Sequence, residues 1–236
     1  MKKLLRKIID SALNSLGYYL DKLPRTSRKN FGTIARELYL EERFKSINDV
    51  KGDIVECGVG SGTSLFYMCV LNQLENKNRT VYGFDSFEGF PEPTKEDDSI
   101  RKPKKGEMDR GWASSTDGLR NSFIGMFQGR EFNFSLRLMK GFFEDSLNED
   151  VIEIFRTSKI ALLHLDVDLY DSYKVTLERL WPHVAEGGVV LFDEYRAAEI
   201  KFPGSVVAID EFFGELKSQI QYDENANRYY IVKNGQ

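Results

Sequence analysis

Three features of this 236-residue chain predict an open α/β fold built on a mostly parallel sheet. The apolar run Leu163-His164-Leu165 breaks into Asp166-Val167-Asp168-Leu169-Tyr170, and a helix length later Val189-Val190-Leu191-Phe192 breaks into Asp193-Glu194-Tyr195. Nearer the N-terminus, Gly52-Asp53-Ile54-Val55-Glu56-Cys57 passes into the glycine-rich turn Gly58-Val59-Gly60-Ser61-Gly62. Strands covered on both faces read as continuous Val, Ile and Leu runs, and the carboxyl ends of such strands are where open α/β sheets bind ligands.

Composition bounds the rest. With 41% hydrophobic and 13% aromatic residues the chain can bury one sizeable core, so residues 1–236 are expected to form a single domain with trimmings. A net charge of -4 argues against the concentrated basic face that nucleic-acid binding needs. Two cysteines, Cys57 and Cys69, make no disulfide framework. There is no apolar run long enough to cross a membrane.

The first trimming is an N-terminal helical extension over residues 1–50. Residues 1–20 place Leu4, Leu5, Ile8, Ile9, Ala12, Leu13 and Leu16 at helical spacing with Lys2, Lys3, Arg6 and Lys7 opposite. That pattern suits packing on the domain or a partner subunit, or a membrane-surface helix; it lacks a signal-peptide cleavage pattern. Residues 23–30, with Pro24 and basic neighbours, read as a linker.

The glycine turn follows a short strand and opens a helix over residues 65–74. Glycines at 58, 60 and 62 let the backbone approach a ligand closely. A second strand over residues 80–85 ends in Asp85, placed to accept hydrogen bonds from ribose hydroxyls. As a plain tight turn the glycines would be unremarkable; with Asp85 and the acidic strand ends they read as a nucleoside site. A dinucleotide fingerprint requires a glycine where this chain has Thr63.

The two acidic strand ends bring Asp166, Asp168, Asp193 and Glu194 toward one crevice. Acids at such positions also cap helices, and Asp171-Ser172 does begin a helical stretch. Four crowded carboxylates repel, so either a cation sits among them or some stay protonated. A divalent metal is the simpler answer. Histidine occurs twice, at His164 and His183, so an all-oxygen set suited to Mg²⁺ fits better than a zinc site.

Residues 91–117 form a lid-like insertion. They hold Lys95-Glu96-Asp97-Asp98 and Arg101-Lys102-Pro103-Lys104-Lys105 before Trp112, without an apolar period. A solvated loop and a lid over the site are the two readings. A helix-forming stretch follows over residues 115–127, then a strand over 132–139. Phe142 and Phe143, just beyond, are placed either to cover an adenine ring or to join the core.

Glycines 58, 60 and 62 after Glu56 resemble the first motif of class I S-adenosylmethionine-dependent methyltransferases. The resemblance sharpens over residues 52–59 (GDIVECGV), 84–93 (FDSFEGFPEP), 141–147 (GFFEDSL) and 165–172 (LDVDLYDS), and at Pro203-Gly204 followed by 208–212 (AIDEF). In order, from about Thr33 to Phe213, these are similar to the motifs of the macrocin O-methyltransferase family, which methylates sugar hydroxyls of antibiotics and related glycosides. The resemblance implies a Rossmann-like class I methyltransferase fold, a seven-stranded mostly parallel sheet with helices on both faces and an antiparallel last strand. It implies S-adenosyl-L-methionine against Thr33, Glu56, Gly58, Gly60, Ser61, Gly62, Ser64, Asp85, Ser86, Gly141, Phe142 and Asp166. It implies Mg²⁺ on Asp166, Asp193 and Glu194, with Asp168 as general base. It also implies that the insertion folds over cofactor and substrate, where Trp112 meets the acceptor. Glutamate at 194, where the family often has aspartate, reaches one methylene further.

The function so implied is Mg²⁺-dependent methylation of a sugar hydroxyl on a glycoside, nucleotide sugar or polysaccharide precursor. The expected setting is a cytoplasmic homodimer with a small-molecule or glycoside acceptor. A catechol-type O-methyltransferase is disfavoured by Glu194 in place of asparagine. An NAD-dependent oxidoreductase is disfavoured by Thr63 and the lack of a Tyr-Lys pair. A non-catalytic binding protein is disfavoured by acids intact at all four positions.

Overall fold

The computed structural model describes residues 30–109 and 115–235. The amphipathic segment over residues 1–20, nearly all of the linker, and Trp112 lie outside the described residues.

Helix α1 (Phe31–Ser46) begins where Asn30 accepts the Thr33 amide proton on its side chain. It is followed by β1 (Asp53–Cys57), α2 (Thr63–Glu75), β2 (Val81–Asp85), α3 (Thr116–Met126) and β3 (Leu136–Lys140). Then come α4 (Phe143–Ser146), α5 (Glu149–Ser158), β4 (Ile160–Leu165), α6 (Tyr170–Leu180), β5 (Val184–Phe192) and α7 (Pro203–Phe213), and the chain closes on β6 (Gln221–Asp223) and β7 (Arg228–Val232).

The seven strands are ordered β3-β2-β1-β4-β5-β7-β6. The first five are parallel, and β7 inserts antiparallel between β5 and the short edge strand β6. Because alternate strand residues face opposite ways, the sheet carries a core on each side. Val55, Leu163, Leu165, Val190 and Phe192 pack with Phe155, Leu177, Ile209 and Phe213 on one face. Ile54, Val81, Leu162 and Leu191 pack with Phe44, Leu65, Met68 and Phe123 on the other. Helices therefore cover both faces, as expected of strands this uniformly apolar.

Register delivers the site. Leu165 pairs with Phe192, so β4 and β5 end level. The ladder continues one step beyond them: the Asp166 amide donates to the Cys57 carbonyl and the Asp193 amide to the Leu165 carbonyl. The reversal of strand order on either side of β1 and β4 opens a crevice above these ends.

Candidate active site

The glycine turn shows why its residues carry no side chains. Gly58 has φ 85°, and a Cβ there would stand 1.7 Å from the Asp166 carbonyl oxygen, where β1 and β4 converge. Gly62 has φ 78°, and its Cβ would strike Leu119 at 2.6 Å. Gly60 differs, since nothing lies within 4 Å of its missing Cβ. Its amide donates to Asp85 Oδ2 at 2.8 Å, tying the turn to the end of β2. Asp85 Oδ1 accepts from the Phe87 amide at 2.6 Å. Each carboxylate oxygen retains a second lone pair, so Asp85 can still accept from a ligand hydroxyl.

A cavity of about 550 Å³ opens here, lined by Thr33, Gly58, Gly60, Ser61, Ser64, Asp85, Ser86, Phe142, Asp166, Asp168 and Asp193 among others. Four of the expected site residues stand behind its wall. Glu56 is wholly buried, and its Oε1 takes the Ser64 hydroxyl proton and lies 2.8 Å from His164 Nδ1. Burial alone would lower the His164 pKa; the Glu56 hydrogen bond, with the charges of Glu56, Asp166 and Asp193, raises it instead. Gly62 serves helix packing. The Gly141 amide donates to the Asp85 carbonyl, supporting β2 from β3. Glu194 is buried beneath the acids. Phe142 and Phe143 both line the cavity, and Phe143 also packs on the core.

The acids divide differently from the expected ligand set. Carboxylate oxygens of Asp166, Asp168 and Glu194 lie within 4.8 Å of one another. Asp193 is not in that group: Arg228 holds it with Nε at 2.8 Å from Oδ1 and a second nitrogen at 3.1 Å from Oδ2, and Arg36 of α1 adds a third contact. Burial would push the Asp193 pKa up, but Arg228 and Arg36 hold it below the usual carboxylate range. Asp166 is pushed well up, by burial first and then by the Asp193 charge, and Glu194 by burial and Asp168. Glu194 is fixed in place by the Tyr173 hydroxyl, 3.1 Å from Oε2, and by the Asp168 amide at 3.2 Å.

The insertion lines the cavity with Pro91, Met108 and Asp109, beside Gly89 and Phe90 just ahead of it. Its charged part is not a loose flap. Asp97 is 2% exposed and accepts three hydrogen bonds. Ser99 donates to the Lys201 carbonyl, and the Arg101 guanidinium lies between the rings of Phe90 and Phe202, 5.3 and 5.1 Å from their centres. Asp97, Ser99 and Arg101 find partners on α6 and in the segment leading into α7, whereas Lys95, Asp98, Lys102, Lys104 and Lys105 stay exposed, so the run is solvated only in part.

Arg36, Arg228, Tyr173 and Asp97 were missed from sequence. No motif marks them, and Arg36, Arg228 and Asp97 each reach the site from an element far away in the chain. For Tyr173 a signal existed in its position within the first turn after the β4 acids.

A glycine turn bonded to an acid at the end of β2, beside acids ending β4 and β5, on a sheet of this order defines a class I methyltransferase architecture. Two solved O-methyltransferases share it. The structure of the O-methyltransferase NovP superposes with TM-score 0.70 at 26% identity, covering 86% of this chain and 81% of that one. The calicheamicin methyltransferase CalS11 has the same fold, with TM-score 0.72 at 23% identity over 85% and 79%.

The macrocin O-methyltransferase (TylF) family model matches residues 35–221, and the chain belongs to that family. It is therefore an enzyme, an O-methyltransferase using S-adenosylmethionine. The chain is 29% identical over 212 residues to the 8-demethyl-8-(2,3-dimethoxy-alpha-L-rhamnosyl)-tetracenomycin-C 4'-O-methyltransferase of Streptomyces olivaceus, covering 83% of this chain and 77% of that protein. It is 31% identical over 172 residues to the demethyldecarbamoylnovobiocin O-methyltransferase of Streptomyces niveus, covering 70% and 59%.

Proposed function

We propose that this enzyme methylates a sugar hydroxyl of a glycoside, nucleotide sugar or polysaccharide precursor, with Asp168 as proton acceptor and a divalent cation, Mg²⁺, among the acids. One observation carries it. A single cavity takes in the Gly58–Gly60 turn with Asp85 at one side and Asp166, Asp168 and Asp193 at the other. A nucleoside held by the first group brings its methyl next to the second. The tetracenomycin relative, by its name, methylates a rhamnosyl unit, which directs the acceptor class toward sugars.

The residues fit a hard cation: an all-oxygen group whose members resist ionising together. Asp166 and Glu194 would hold it, with Asp193 completing the set by turning from its arginines. Such a cation acidifies a nearby hydroxyl, and a shift of about three units is worth ~4 kcal/mol. The donor's methyl is already activated by its sulfonium charge, so the chain's task is alignment and proton removal. Asp168 faces the same cavity and would take the proton as the oxygen attacks.

Calorimetry with S-adenosylhomocysteine and NAD, followed by methyl-transfer assays on methyl α-L-rhamnoside and TDP-rhamnose with Mg²⁺, tests the reading. Binding of S-adenosylhomocysteine and methylation of either sugar support it. Methylation of catechol with both sugars inert would replace it by a catechol-type activity.

A further inference from the structure

We infer that Asp97 is a positioning residue that reaches from the insertion to fix the turn carrying Asp168; the inference rests on Asp168 being the proton acceptor. Asp168 has φ 59°, a left-handed conformation that aspartate tolerates better than most side chains but that still costs free energy the surroundings must offset. Three backbone hydrogen bonds hold the turn. The Asp168 amide donates to Glu194 Oε2 at 3.2 Å and the Leu169 amide to the Val167 carbonyl at 2.6 Å. The Tyr170 amide donates to Asp97 Oδ1 at 2.8 Å. That last bond replaces a missing cap. Leu169, the residue at the N-cap of α6, offers no side-chain acceptor, so the first-turn donor would otherwise be unsatisfied.

Asp97 is itself immobilised. Its Oδ2 accepts from the Thr94 amide at 2.9 Å and the Thr94 hydroxyl at 3.1 Å. Gly204 of α7 closes over it so tightly that a Cβ there would stand 2.0 Å from Oδ1. Insertion, α6 and α7 thus meet on one carboxylate, which grips the chain at Tyr170, two residues beyond Asp168.

Asp97→Asn preserves size but sets an amide donor against either the Thr94 or the Tyr170 donors. Amide exchange by mass spectrometry should rise on the order of tenfold over residues 167–171 and stay unchanged over 160–165, with S-adenosylhomocysteine affinity held. On the sugar the wild type methylates, kcat should fall on the order of tenfold, and by nothing further in an Asp168→Asn background. Thr94→Val, which removes only the hydroxyl contact, should shift both readouts the same way by less and serves if Asp97→Asn does not fold. Unchanged exchange over 167–171, or an equal drop in kcat with Asp168 already replaced, overturns the inference. Full activity of Asp168→Asn alone would instead refute the proton-acceptor reading, while the exchange data still decide whether Asp97 holds the turn.

Discussion

Arg228 and Asp193 face each other at the adjoining ends of the antiparallel strands β7 and β5, joined by two hydrogen bonds of 2.8 and 3.1 Å. The antiparallel last strand thus supplies the acidic crevice with a partly buried counter-charge. Arg228→Met should destabilise the protein by up to about 3 kcal/mol, because it leaves a largely buried carboxylate with only the half-exposed Arg36 as counter-charge. Urea denaturation measures this, and a loss below about 1 kcal/mol would mark the pair as an ordinary surface contact.

Arg36 holds the same carboxylate from α1 but is half exposed. If Asp193 turns to the cation, Arg36 competes with it. Arg36→Met should tighten Mg²⁺ binding several-fold by calorimetry, and the gain should vanish in an Asp193→Asn background. Equal tightening in both backgrounds would mean that the arginine acts only through its charge and that Asp193 is no ligand.

Gly58 and Gly60 are neighbours with opposite requirements. Gly58→Ala drives a Cβ into the Asp166 carbonyl and should prevent stable folding. Gly60→Ala meets open space and should cost only about 1 kcal/mol for its left-handed φ of 53°. It should still weaken S-adenosylhomocysteine binding, since the cavity is what its bare backbone faces. Thermal melts and calorimetry on the two variants separate these roles.

Much of this was legible in the sequence because it follows from strand period and strand ends. Residues 163–168 and 189–194 announce buried strands that deliver acids, and β4 and β5 end one residue before Asp166 and Asp193. The glycine turn and Asp85 were readable for the same reason, and the helix-forming stretch over residues 115–127 appears as the helix Thr116–Met126. Side-chain partnerships across the chain were not. Nothing near Asp193 in sequence announces Arg36 or Arg228, and nothing in the charged run around Asp97 indicates burial. The strand expected over residues 132–139 starts later and ends one residue further on, at Leu136–Lys140, with Phe132 and Phe134 stacked at a centroid distance of 5.0 Å instead of joining the sheet.

Asp168→Asn should leave S-adenosylhomocysteine affinity intact and lower kcat by about 10²-fold to 10⁴-fold, the usual scale of general-base catalysis. Retention of more than about a tenth of wild-type kcat would move proton removal to another group.

The most direct measurement is transfer of an isotopically labelled methyl group from S-adenosylmethionine to a rhamnosyl acceptor, followed by mass spectrometry with Mg²⁺ and with excess chelator. Label is expected on a sugar oxygen with Mg²⁺, with loss of transfer in chelator and recovery when Mg²⁺ is restored. Undiminished transfer in chelator would contradict that expectation and leave Asp166, Asp193 and Glu194 with a purely structural purpose.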